Sequence, residues 1–177
     1  MKRSAVWWLA SLGCVISCGE HWDLRRGVSV VQDQSTFIGA EDLAEKAEKS
    51  IQNALSQLES RVVLSSANVL HVAYKEKCTC SQCGPYTVAI AAPFSYTIYI
   101  CPYAKANPTD FVDAGMKHEL LHTLAHRGDH LPCETGAVMT PEVACETHLG
   151  VYTKADISYL CEGGYVSGGV CASTSLP

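Results

Sequence analysis

The chain has 177 residues, 47% of them hydrophobic, with ten cysteines and a formal net charge of -5. That length suits a single domain with a real core, and 13 basic against 18 acidic residues speak against a nucleic-acid or anionic-membrane surface. No apolar run reaches the roughly 18 residues that span a bilayer, and the cysteines are too many for a routine cytosolic enzyme yet too few for a knottin-like scaffold.

Lys2 and Arg3 precede an apolar stretch from Ala5 to Ile16, the layout of a signal peptide. Val15-Ile16-Ser17-Cys18 resembles a bacterial lipobox, whose cysteine becomes the lipidated mature N-terminus; Leu12-Gly13-Cys14 fits less well. The alternative is an ordinary signal peptide cut nearby. The chain thus divides into a lipoprotein-type signal at 1–17, a polar tether at 18–37 and a domain at 38–177. Export is expected, with the bacterial cell envelope held through a lipid on Cys18 alone, or secretion if Cys18 is not lipidated.

Setting Cys14 and Cys18 aside leaves Cys78, Cys80, Cys83, Cys101, Cys133, Cys145, Cys161 and Cys171. An even number in an exported chain implies up to four disulfides. A thiolate metal site at Cys78, Cys80 and Cys83 is disfavoured, because no second CxxC completes a tetrahedral set. The plausible local pairs are Cys133 with Cys145, Cys161 with Cys171, and Cys83 with Cys101 across a hairpin, which leaves Cys78 and Cys80 for one another or for a different pattern.

Within the domain, Leu43, Ala47, Ile51, Ala54, Leu55 and Leu58 recur at spacings of three and four, predicting an amphipathic helix from Glu41 to Ser60 with acidic residues in its first turn. Strand-like runs follow at Asn68–Tyr74, Thr87–Ala91 and Tyr96–Cys101, the last two joined by a hairpin or bent connection. Asn107-Pro108 starts a helix that runs to about Arg127, with Gly128 as its stop. Thr153, with Asp156 three residues on, caps a last short helix that ends near Gly163. The fold class is α+β: a small twisted mixed sheet with an N-terminal helix, an active-site helix and a C-terminal helix.

The chemistry is concentrated in the middle helix. His118-Glu119-Leu120-Leu121-His122 is an HExxH motif, for which seven His and eleven Glu in a chain of this length give about 0.02 chance occurrences. Two histidines four apart lie on one helix face and converge on one metal, while the offset glutamate stands beside the open position as general base. The third ligand cannot continue the stripe His118, His122, His126, His130 along a straight helix, since His126 would lie about 12 Å up the axis from His118. The chain must turn back; Gly128 supplies a place to turn, leaving His130, Asp129 or, least favoured, His126 as third ligand. Otherwise His126 and Arg127 cap the helix end or face solvent. His71 reads as an ordinary strand histidine and His148 as a loop histidine. Tyr96, Tyr99, Tyr103, Tyr152 and Tyr159 include possible transition-state hydrogen-bond donors.

The segment from His118 to His130, followed by Ala137-Val138-Met139-Thr140-Pro141, resembles the metzincin metalloproteases, in a matrixin-like or snapalysin-like variant. The resemblance covers about residues 38–162 in plan, with its specific motifs confined to 118–141. It implies a zinc endopeptidase domain with a horizontal cleft, and a peptide substrate lying antiparallel to an edge strand, either Thr87–Ala91 or Tyr96–Cys101. His118 and His122 match the first two ligands, Glu119 the general base and Met139 the methionine of the turn beneath the metal. The chain departs where the family has glycine, which is Ala125 here, and where it has its third ligand, which is Gly128. Two extra residues before His130 would restore both, with Gly128 making the turn. Aspartate-liganded relatives share the order Asp129-His130, Cys133, Met139, Cys145. A tyrosine that some relatives carry two residues past the methionine is Pro141 here.

The expected function is therefore hydrolysis of peptide bonds in a peptide or protein substrate by a monomeric zinc-dependent endopeptidase, with Zn2+ the cofactor and no nucleic-acid partner. The alternative is a binding or structural lipoprotein that holds zinc without catalysing; least favoured is a disulfide-stapled module with no metal.

Overall fold

The computed structural model describes residues 20–23, 28–59, 68–80, 83–92, 95–106, 109–140 and 151–162. The expected signal peptide, Cys14, Cys18, the helix start at Asn107-Pro108, Pro141, Cys145, His148, Gly163 and Cys171 lie outside them.

Five strands form one mixed sheet: β1 (Glu20–Asp23), β2 (Val28–Gln32), β3 (Asn68–Tyr74), β4 (Ala89–Ala91) and β5 (Thr97–Ile100), in the spatial order β1-β2-β3-β5-β4. β2, β3 and β5 run parallel, while β1 and β4 are antiparallel additions at the two edges. Three helices complete the plan: α1 (Glu41–Glu59), α2 (Thr109–Ala125) and α3 (Lys154–Glu162). β2 and β3 are parallel neighbours joined through α1, the crossover such pairing requires, whereas the connection from β3 to its parallel neighbour β5 carries β4, and α2 follows β5.

The N-terminal segment departs from expectation. Residues 28–37 were expected in a polar tether, but β2 pairs with β3 in register from Val28 opposite Asn68 to Gln32 opposite Val72. Val30 and Phe37 are fully buried, and the Gln32 side chain donates to the Ala44 carbonyl of α1 at 3.1 Å. The short apolar run Val28-Ser29-Val30-Val31 is a strand that needed a partner 40 residues away to be recognised.

Alternation along the strands puts Val30, Leu70, Val72, Tyr74, Ile98 and Ile100 on one face, against Ile51, Ala54, Leu55 and Leu58 of α1 and Val112, Met116, Leu120 and Leu124 of α2. On the opposite face Val69 and His71 are exposed, so His71 stands apart from any site on the helical side. Gly115 of α2 faces β4; a Cβ there would meet Val88 Cγ1 at 3.1 Å, so the missing side chain lets the helix lie close over the edge strand.

Two disulfides differ from the expected pairs: Cys78 bonds Cys101 and Cys80 bonds Cys83. The register supplies the reason. β3 and β5 are parallel with Tyr74 opposite Ile100, so the chain just beyond both strands meets at Cys78 and Cys101. Across from Cys101 stands Val88, just before β4, whose carbonyl accepts the Cys101 amide at 2.8 Å, and Cys83 closes a short loop with Cys80 instead. Cys133 and Cys161 are also disulfide-bonded; their expected partners, Cys145 and Cys171, fall outside the described residues.

Candidate metal centre

α2 carries His118, Glu119 and His122 on consecutive turns and ends at Ala125. Termination falls to His126, whose φ of 52° places it in the left-handed region, and the Arg127 amide bonds back to the His122 carbonyl at 3.3 Å, the Schellman closure. Gly128, expected to make this turn, has no such backbone; histidine tolerates the left-handed region better than most side chains and turns the chain two residues earlier. The reversed chain brings His130 back over the helix.

There the Nε2 atoms of His118, His122 and His130 converge: 3.1 Å from His122 to His118, 3.2 Å from His118 to His130 and 3.3 Å from His122 to His130. These three form a group that could hold a metal ion. Asp129 is not among them, because its carboxylate is turned outward onto Arg127, with Oδ1 at 2.9 Å from Nε and Oδ2 at 2.5 Å from Nη2. That guanidinium holds the Asp129 carboxyl below its ordinary range. His126 also stands aside, its ring edge-on to Tyr96 with centroids 4.6 Å apart.

Hydrogen bonding fixes how the imidazoles present themselves. His118 Nδ1 lies 2.8 Å from the Val138 carbonyl and His122 Nδ1 2.7 Å from the Arg127 carbonyl. A carbonyl only accepts, so both Nδ1 atoms carry the proton and both Nε2 atoms present lone pairs. Lone pairs facing one another across about 3 Å repel unless a cation lies between them. Burial, followed by the charge of His122, lowers the His118 pKa to about 3; burial likewise lowers His122 to about 4 and shifts His130 down. The imidazoles are thus held neutral, the state a metal requires.

Below them lies the turn 137–140, closed by the Thr140 amide to the Ala137 carbonyl at 3.3 Å, with Met139 fully buried. Asp156, at the start of α3, was expected only as a cap. It does take the Thr153 amide at 2.7 Å and hydroxyl at 2.9 Å. Fully buried, it also accepts the Val138 and Met139 amides at 3.1 and 2.9 Å, tying the cap to the turn.

Glu119 reaches the sheet edge, where its Oε2 accepts the Ala91 amide at 2.6 Å. Cys101 and Thr97 of the β5 side pair with Val88 and Ala92, so by alternation Ala89 and Ala91 aim their main-chain groups away from β5. Of the five candidate tyrosines, Tyr152 and Tyr159 have hydroxyls engaged with main-chain carbonyls. The Tyr152 hydroxyl donates to the Lys117 carbonyl at 3.0 Å, Tyr103 packs edge-on against Tyr86, and Tyr159 lies behind His122 on its Nδ1 side. The sequence pattern pointed to Asp156 only as a cap and to Tyr159 only as one of five possible hydrogen-bond donors; it carried no signal for the bonds from Asp156 to the 137–140 turn, for Tyr159 behind His122, or for the Ala91 amide on Glu119.

No protein-family model, curated protein or solved structure matches the chain. Among the described residues no helix is long and apolar enough to cross a membrane.

Proposed function

We propose that the chain is a metzincin-like zinc endopeptidase, with His118, His122 and His130 as ligands and Glu119 as general base. The supporting observation is the convergence of three neutral Nε2 atoms at 3.1–3.3 Å on a helix that also carries Glu119. A tetrahedral site with metal–nitrogen bonds of about 2.0–2.1 Å sets its nitrogens about 3.3–3.4 Å apart, so the donor set fits zinc in both number and spacing. When bound, zinc would polarise the scissile carbonyl and acidify the attacking water.

The chain's own groups supply the rest. Glu119, steadied by the Ala91 amide, takes the proton of the attacking water and returns it to the leaving amine. β4 lies at the sheet edge with Ala89 and the Ala91 carbonyl aimed outward, which suits an extended peptide pairing by its main chain. Buried Met139, next in the chain to the Val138 carbonyl that holds His118, is compatible with the hydrophobic floor that the resemblance implies. Cleavage of casein should be abolished by a chelator and fall at least a hundredfold in Glu119→Ala with zinc content retained; undiminished cleavage in that variant refutes the reading.

The disulfides at Cys78, Cys80, Cys83 and Cys101 support an oxidising, exported location, with lipidation at Cys18 as the proposed anchor. Mass spectrometry of the mature N-terminus should show a diacylglyceryl-modified Cys18; an unmodified thiol there sinks the anchor.

A further inference from the structure

We infer that Tyr159, on α3, is a positioning residue that locks the third metal ligand onto the two from α2; this rests on the metal reading of the three histidines. His130 lies five residues past the end of α2, on chain that belongs to no helix or strand. Something outside that segment must hold it, or the ligand would have to be ordered each time a metal binds.

The Tyr159 hydroxyl is placed for this task. It donates to the carbonyl of Asp129, the residue before the ligand, at 2.8 Å, and its oxygen lies 3.2 Å from Nδ1 of His122. One phenol oxygen thus touches the peptide that carries His130 and the back of another ligand. His122 Nδ1 in turn donates to the Arg127 carbonyl at 2.7 Å, so the reversing chain is gripped at residues 127 and 129.

The ring that bears this hydroxyl is itself held. Its residue is 1% exposed, and the Arg127 guanidinium stacks over it at 4.3 Å from the centroid. The same guanidinium pairs with Asp129 at 2.5 Å and reaches Glu162 of α3 at 3.4 Å. Arg127 and Tyr159 therefore clasp each other across the gap between the loop and α3, with Asp129 as part of the clasp and not a ligand. The chemistry is that of an outer-shell partner, which orients a ligand without touching the metal.

The test uses the full chain with its disulfides intact and zinc alone as probe, competed against a chromogenic chelator. Tyr159→Phe removes one oxygen and keeps the packed ring. Its zinc dissociation constant should rise roughly ten- to a hundredfold, while the metal-free melting temperature stays at the wild-type value. On a His130→Ala background the same change should weaken zinc by a clearly smaller factor, because the clasped loop no longer supplies a ligand. Arg127→Gln, altered from the solvent side, should weaken zinc several-fold. An unchanged dissociation constant in Tyr159→Phe, an equal loss in both backgrounds, or a loss that merely tracks a lower metal-free melting temperature each overturns the inference. A wild-type chain that takes up no zinc defeats the metal reading itself and is recognised before any variant is compared.

Discussion

Asp156 shows how one side chain serves two neighbourhoods. Its carboxylate closes the cap of α3 through Thr153 and holds the amides of Val138 and Met139. The Val138 carbonyl then fixes the His118 ring by Nδ1, so the helix cap, the turn and a candidate metal ligand share one chain of hydrogen bonds. Asp156→Asn keeps the size but turns an amide group toward donors, leaving buried N–H groups unpaired. It should cost about 3 kcal/mol of stability, read by urea denaturation of the metal-free chain. Loss of less than about 0.5 kcal/mol would show that the four donors find other partners. Zinc affinity should fall with it, because the carbonyl behind His118 shifts.

At the scale of elements, β4 is three residues long and does two jobs through opposite edges of its main chain. One edge ladders to β5, with the flanking Val88 and Ala92 bonded to Cys101 and Thr97, and the other gives the Ala91 amide to Glu119. Proline separates them, since it removes an amide while remaining tolerable on an edge strand. On the proposed zinc-endopeptidase reading, Ala91→Pro should fold and keep its zinc yet lose roughly ten- to a hundredfold in kcat, with KM little changed, as the proposed base loses its orienting donor. If kcat stays at the wild-type level in a folded, zinc-loaded Ala91→Pro, the amide does not orient Glu119.

The elements also show what local pattern could and could not reveal. α1 was legible to within a residue because its apolar stripe matches the 3.6-residue period and it packs by that stripe alone. β3 was legible from its alternation. β2 was not, because three valines in five residues among polar neighbours are too short a run to fix a period, and only pairing with β3 makes them a strand. Gly115 could not be interpreted before β4 was seen beneath it. Within the site, His118, Glu119 and His122 follow from spacing on a helix. His130 was separated from Asp129 only when Arg127 was seen to hold the aspartate, and no spacing rule encodes that ion pair.

For the molecule as a whole, the histidine group makes stability depend on pH. In the unfolded chain each imidazole titrates near its ordinary value of 6.5; in the fold, burial lowers His118 to about 3 and His122 to about 4. Between those limits the unfolded state binds protons that the native state refuses, so stability is fully present above about pH 6.5 and drains away as pH falls toward 4. Each excluded proton adds about 1.4 kcal/mol per pH unit to that slope, and His130, also shifted down, acts in the same sense. The carboxylates with lowered values, such as Glu45 and Asp129, start from 4.5 and 3.8 and therefore give up their contribution only in more acid solution. Urea midpoints of the metal-free chain should accordingly be level from pH 7.5 to 6.5 and fall steadily from 6.5 to 4.5. His118→Phe, which removes one of the refused protons, should shallow the descent. Equal midpoints at pH 7 and pH 5 would mean that the three imidazoles open to water without the metal, and the preformed, neutral donor set would no longer describe the free protein.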